Sequence, residues 1–123
     1  MSETKDKYRG SKSYHLLYCA LINAAQNKGT ITYKDVAEIM GLPSTGSYMG
    51  AETGRMLGAI SEDEVYNGRP LLSSVAMSSV SGSPGEGFFG WAKELGRLKD
   101  ESKEGKRRFW EEEKAAVYET WAK

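Results

Sequence analysis

Apolar residues recur at helical spacing in five separate stretches of the chain. From Ser13 onward, Tyr14, Leu17, Tyr18, Leu21, Ile22 and Ala25 form one stripe, and Asn27-Lys28-Gly29 closes it. The spacing predicts a helix packed along its length, with Gly29 as a left-handed cap. Thr30 and Ile31 are β-prone and predict a brief extended pairing. Thr32 then suits an N-cap, with Asp35 three residues on, and Gly41-Leu42-Pro43 stops a helix over Tyr33–Met40 that buries Val36, Ile39 and Met40. After a turn at Ser44–Ser47, a helix over Ser47–Ile60 buries Met49, Thr53, Met56, Leu57 and Ile60. Ser61-Glu62-Asp63-Glu64 reads as a capping box opening a separate short helix that ends at Asn67-Gly68. Leu71–Val80 is the best strand candidate, followed by a tight loop at Ser81–Gly87. Phe88, Trp91, Ala92, Leu95 and Leu98 predict a further helix, and residues 99–106 a charged linker. Phe109, Trp110, Val117, Tyr118 and Trp121 give a last helix with an aromatic stripe.

This order predicts a small α+β domain: a winged helix-turn-helix-like core with a small β element and two added C-terminal helices. Residues 1–10 read as a flexible N-terminal arm, and residues 11–123 as a single domain with a helical extension from about residue 86. The 123 residues suffice for one modest core. No apolar run approaches the roughly 20 residues that span a bilayer, and the N-terminus lacks the apolar core of a signal peptide. One cysteine forms no internal disulfide. The expected setting is cytoplasmic, with no membrane partner.

Charge tempers any nucleic-acid reading. Seventeen basic residues meet seventeen acidic ones, and the net charge is zero. Phosphate neutralisation supplies most non-specific affinity for DNA. Only clustering of the cations on one face leaves room for weak, salt-sensitive binding. Gly46, Gly50, Gly54 and Gly58 recur every four residues along the Ser47–Ile60 helix. Each interior glycine costs about 1 kcal/mol against alanine. A ridge of them implies close approach by a neighbouring helix or by a nucleic-acid backbone, with the helix ahead.

Catalytic constellations are sparse. His15 and Cys19 share one face of the first helix, but they read as a helix flank rather than a nucleophile pair, and two ligands are too few for structural zinc. Glu62, Asp63 and Glu64 read as first-turn dipole partners. The Gly41–Ser47 segment lacks the lysine of a phosphate loop. Lys106-Arg107-Arg108 runs straight into three glutamates and reads as a solvated helix start. No cofactor and no metal is expected.

Two motifs carry a resemblance. Gly29–Tyr33 followed by Asp35-Val36-Ala37, and Arg55-Met56-Leu57-Gly58-Ala59-Ile60, resemble the DNA-binding half of the alkyltransferases that repair alkylated guanine. The resemblance covers roughly residues 14–90. It implies that Tyr33 sits against a DNA phosphate, and that Arg55, on the recognition helix, enters the minor groove and fills the space left by a flipped base. The family's reactive Pro-Cys-His-Arg-Val site has no counterpart. Pro70-Leu71-Leu72-Ser73-Ser74-Val75 stands there instead, without cysteine or histidine. Alkyl transfer needs a thiolate, so no such enzyme is expected. Alkyltransferase-like proteins that only bind lesions keep more of that motif than this chain does. The Pro84–Phe88 and Phe109-Trp110 elements are also similar to a set of small bacterial proteins of no settled activity. The expected function is non-catalytic duplex DNA binding, with Tyr33, Lys34 and Ser47 on backbone phosphates and Arg55 in a groove. The alternative is a protein-interaction module, adaptor or regulator, on the same fold.

Overall fold

A computed structural model describes residues 7–43 and 46–123, with Ser47 described by its backbone alone. The described residues form five α-helices, one short 3-10 helix and two very short strands. The chain is a helix-rich α+β protein, and none of its described helices is long and apolar enough to cross a membrane.

Helix α1 (Lys12–Gln26) starts where the Ser11 hydroxyl accepts from the Tyr14 N–H at 3.1 Å. It buries Tyr14, Leu17, Leu21, Ala24 and Ala25. Its end differs from the expected cap. Lys28, not Gly29, takes the left-handed conformation (φ 54°), while the Gly29 N–H reaches back to the Ala24 carbonyl at 2.8 Å. The six-to-one return bond sets the residue before the glycine at the left-handed position.

Strand β1 (Ile31–Thr32) leads into α2 (Tyr33–Met40), which opens on the expected reciprocal cap. Thr32 Oγ1 accepts from Asp35 N at 3.1 Å, and Asp35 Oδ2 accepts from Thr32 N at 2.9 Å. Gly41 (φ 73°) ends the helix in the left-handed region. Val36 and Ala37 are fully buried, whereas Ile39 and Met40 only flank the core.

Helix α3 runs unbroken over Ser47–Tyr66. The expected boundary at Ser61 does not exist, because the polar residues that mimic a capping box have tertiary partners. Ser61 Oγ lies 2.7 Å from Ser73 Oγ. Glu64 is wholly buried and accepts from Tyr18 Oη at 2.7 Å and from Arg69 Nε at 2.7 Å. With Ser61 and Glu64 Oε2 engaged inside the fold, the apolar stripe of Met56 and Ile60 carries the helix on.

Leu71–Val80 also departs from expectation. Leu72–Val75 form the 3-10 turn, and only Ala76–Met77 are extended, as β2. Strand β2 pairs parallel with β1, Ile31 opposite Ala76 and Thr32 opposite Met77. A run buried on every side carries no periodicity that separates strand from turn. Here Trp110 Nε1 donates to the Ser74 carbonyl at 2.9 Å, occupying a group that a strand ladder would use.

Helices α4 (Glu86–Glu94) and α5 (Lys103–Thr120) complete the chain. One core joins α1, α2, α3 and the 3-10 turn to Val117 of α5. A second gathers Leu71, Phe88, Ala92, Leu98 and Trp110. Buried Glu113 links the two ends of this region, accepting from Leu71 N at 2.7 Å and from Arg97 Nε at 2.9 Å. Tyr118 Oη donates to the Gly29 carbonyl at 2.9 Å. The C-terminal helices therefore belong to the body of the fold.

Candidate functional site

The N-terminal half of α3 presents two adjoining surfaces. The first is an exposed strip. Tyr48, Ala51 and Arg55 recur at the three- and four-residue spacing of one helix face, and the Tyr48 side chain is 58% exposed. Gly50 and Gly54 border that strip, and a Cβ built at either would meet nothing within 4 Å. The second surface is an apolar cavity of about 230 Å³ on the other side of those glycines. Tyr33, Leu57, Phe88 and Trp91 wall it, and Gly50 and Gly54 lie along its edge.

The four glycines of α3 thus divide by role. Gly58 is covered by a neighbouring helix: a Cβ there would lie 2.3 Å from Cε2 of Trp91. Gly50 and Gly54 are open. Gly46 sits at the cap with φ 100°. Only one member of the ridge has the close neighbour that the spacing suggested.

Tyr33 is the first residue of α2. Its hydroxyl oxygen accepts from the Gly85 N–H at 2.9 Å, and burial pushes the phenol pKa up. The oxygen is therefore committed to the loop before α4, while its proton meets no acceptor among the described residues. Lys34 is exposed on the first turn of α2. Ser47 begins α3, but its side chain lies outside the described residues.

Arg55, expected in a groove, is engaged in an ion pair within its own helix. Its side chain is 37% exposed, and Nη1 donates to Glu52 Oε2 one helical turn earlier. Glu52 itself is covered, with its side chain 3% exposed. Its other oxygen, Oε1, accepts from Lys7 Nζ at 2.8 Å and from the Tyr8 hydroxyl. These hydrogen bonds, Lys7 first and Tyr8 next, hold the Glu52 carboxyl below the usual carboxylate range against the opposing effect of burial.

Residues 7–9 are consequently tied down rather than loose. Arg9 continues the attachment, with Nη2 donating to the Ala59 carbonyl at 3.1 Å and pairing with Glu62 and Asp63. Residues 1–6 of the expected arm lie outside the described residues. Tyr33 and Arg55, the two residues that carry the resemblance, serve different places: Tyr33 lines the cavity, and Arg55 joins the Glu52 cluster.

Sequence reasoning missed Glu52, Lys7 and Tyr8. The three-residue interval between Glu52 and Arg55 is a readable helical pair. Contacts spanning 45 and 44 residues leave no local signal. The cavity was missed for the same reason, since its walls come from α2, α3 and α4.

Chemically, the cavity suits a flat or apolar group. Thr53 Oγ1 on its wall already donates to the Met49 carbonyl at 2.8 Å, and Ser73 is engaged with Ser61. His15 and Cys19 both sit exposed on α1, in the flank position expected of them. Comparison with protein-family models, with curated proteins and with solved structures returns no match to this chain.

Proposed function

We propose that this protein is a non-catalytic duplex DNA-binding module of winged-helix type, with the N-terminal half of α3 entering a groove. The observation that carries the reading is the composition of the exposed α3 strip. Gly50, Ala51 and Gly54 leave the backbone accessible, and Tyr48 and Arg55 frame it. The only acidic residue of that half-helix, Glu52, is buried and faces two cations. Small residues permit close approach to a polyanion, and a partly exposed arginine can reach base edges or phosphates. Lys34 supplies a further exposed cation on the adjacent helix. In this reading the Ser81–Gly87 loop would serve as the wing or its exit, next to the Ser78–Ser83 turn. That turn closes on itself through Ser78 N to Ser83 O at 3.0 Å. The resemblance of the Tyr33 and Arg55 motifs to alkyltransferase DNA-binding domains supports the same assignment. The aromatic-walled cavity would receive an unstacked base.

The test is a fluorescence-anisotropy titration of a labelled duplex at two salt concentrations. Affinity should fall steeply with added salt. Arg55→Ala should weaken binding by about 1–3 kcal/mol. Wild-type protein that fails to bind at low salt would remove the assignment. The same cavity also favours a second reading, in which it takes an apolar side chain of a protein partner. Complex formation indifferent to salt selects that alternative.

A further inference from the structure

We infer that Lys7 is a positioning residue for Arg55: it holds the charge of Glu52 so that the guanidinium can turn outward onto a phosphate oxyanion. The inference deepens the α3 reading above and rests on it. Its basis is the division of one carboxylate between two sides. Lys7 and Tyr8 both donate to Oε1 of Glu52, and Arg55 donates to Oε2. Withdrawing Arg55 would therefore leave Glu52 still bonded and still facing a cation.

Without Lys7 the balance changes. A covered carboxylate stripped of its one remaining cation is strongly disfavoured, so Glu52 would keep Arg55 for itself. With Lys7 present, one negative charge meets two positive ones among the described residues, and the cluster keeps a surplus cation. Both cations reach water: the Lys7 side chain is 50% exposed and that of Arg55 37%. Arg55 carries five N–H donors, of which this contact uses one. Lys7 is held by the residues that follow it. Its ammonium lies 5.3 Å from the centre of the Tyr8 ring, the Tyr8 carbonyl accepts from Ser11 N at 2.9 Å, and Arg9 reaches the α3 backbone.

The test uses the full chain with two probes, inorganic pyrophosphate and a short duplex. Pyrophosphate is titrated while the Arg55 Nε–Hε resonance is followed by NMR. In wild type the resonance shifts. In Lys7→Ala the shift is lost, in Lys7→Arg it is retained, and in the Lys7→Ala/Glu52→Gln double variant it returns. Duplex affinity should follow the same order, with Lys7→Ala about tenfold weaker than wild type, in the range of a single phosphate or base contact. Recovery on removing a second, opposite charge is an outcome that a merely structural role of Lys7 would not produce.

A Lys7→Ala protein whose Arg55 resonance still responds to pyrophosphate overturns the inference. So does a double variant that responds no better than Lys7→Ala. If the pyrophosphate pattern appears and the duplex does not bind, the DNA reading fails while the division of Glu52 stands. If the duplex binds and the Lys7 pattern is missing, the inference fails alone.

Discussion

Adding one methyl group to the glycine ridge of α3 should have opposite effects at two positions four residues apart. At Gly58 an alanine Cβ would lie 2.3, 2.4 and 2.6 Å from Cε2, Cζ2 and Nε1 of Trp91. Carbon atoms rest at about 3.5–4.0 Å, so the indole must retreat by roughly 1 Å or more. Overpacking of this kind costs about 1–3 kcal/mol. The same substitution recovers about 1 kcal/mol of helix propensity. Trp91 is half-buried and can yield in part, so a net loss of about 1 kcal/mol is expected. At Gly54 nothing lies within 4 Å, and alanine should stabilise by about 0.5–1 kcal/mol. The two variants then differ by about 2 kcal/mol, or about 1 M in urea midpoint at a slope of about 2 kcal/mol/M. Urea denaturation followed by circular dichroism measures this directly. If Gly58→Ala gains as much as Gly54→Ala, Trp91 does not seat on the helix as described. Trp91→Ala should rescue Gly58→Ala by removing the clash, with sub-additive destabilisation. Because Gly54 borders the exposed strip, Gly54→Ala should also weaken duplex binding while tightening the fold.

Acid stability should depend on Glu52. Its folded pKa is lowered, so its contribution is complete above the unfolded value of about 4.3 and is lost as pH falls through the lowered folded value. Urea midpoints measured down that range should drop for wild type and drop less for Glu52→Gln; equal acid limbs would show that the cluster contributes nothing to stability. Lys28 sits at φ 54°, where a Cβ is disfavoured by about 1–2 kcal/mol. Lys28→Gly should therefore raise the urea midpoint, offset in part by the greater freedom of glycine in the unfolded chain, and a lowered midpoint would contradict the left-handed cap.

Local patterns were legible where one helix face met the core. The stripe from Tyr14 to Ala25, the reciprocal Thr32–Asp35 cap and the Gly41 stop all read correctly, because each involves residues within a few positions of one another. The two C-terminal segments were legible as helices, but the first ends at Glu94 and leaves Leu98 outside it, and the second starts at Lys103, inside the expected charged linker. Reading failed where a local signature had a tertiary competitor. Ser61–Glu64 has the letters of a capping box, yet Ser73, Tyr18 and Arg69 claim its side chains and the helix continues. Leu72–Val75 has the composition of a strand, yet burial on every side and the bond from Trp110 leave it a tight turn.

By itself, then, the sequence determined which segments are helical, the Thr32–Asp35 cap, the Gly41 stop and the mixed α+β class, since periodicity and capping act over one or two turns. Tertiary structure alone decided which glycine Trp91 covers, where the aromatic cavity opens, and that Lys7 and Arg55 divide one carboxylate between them. Those outcomes depend on atoms from segments roughly 30 to 60 positions apart, and no short-range regularity records which distant side chain will arrive.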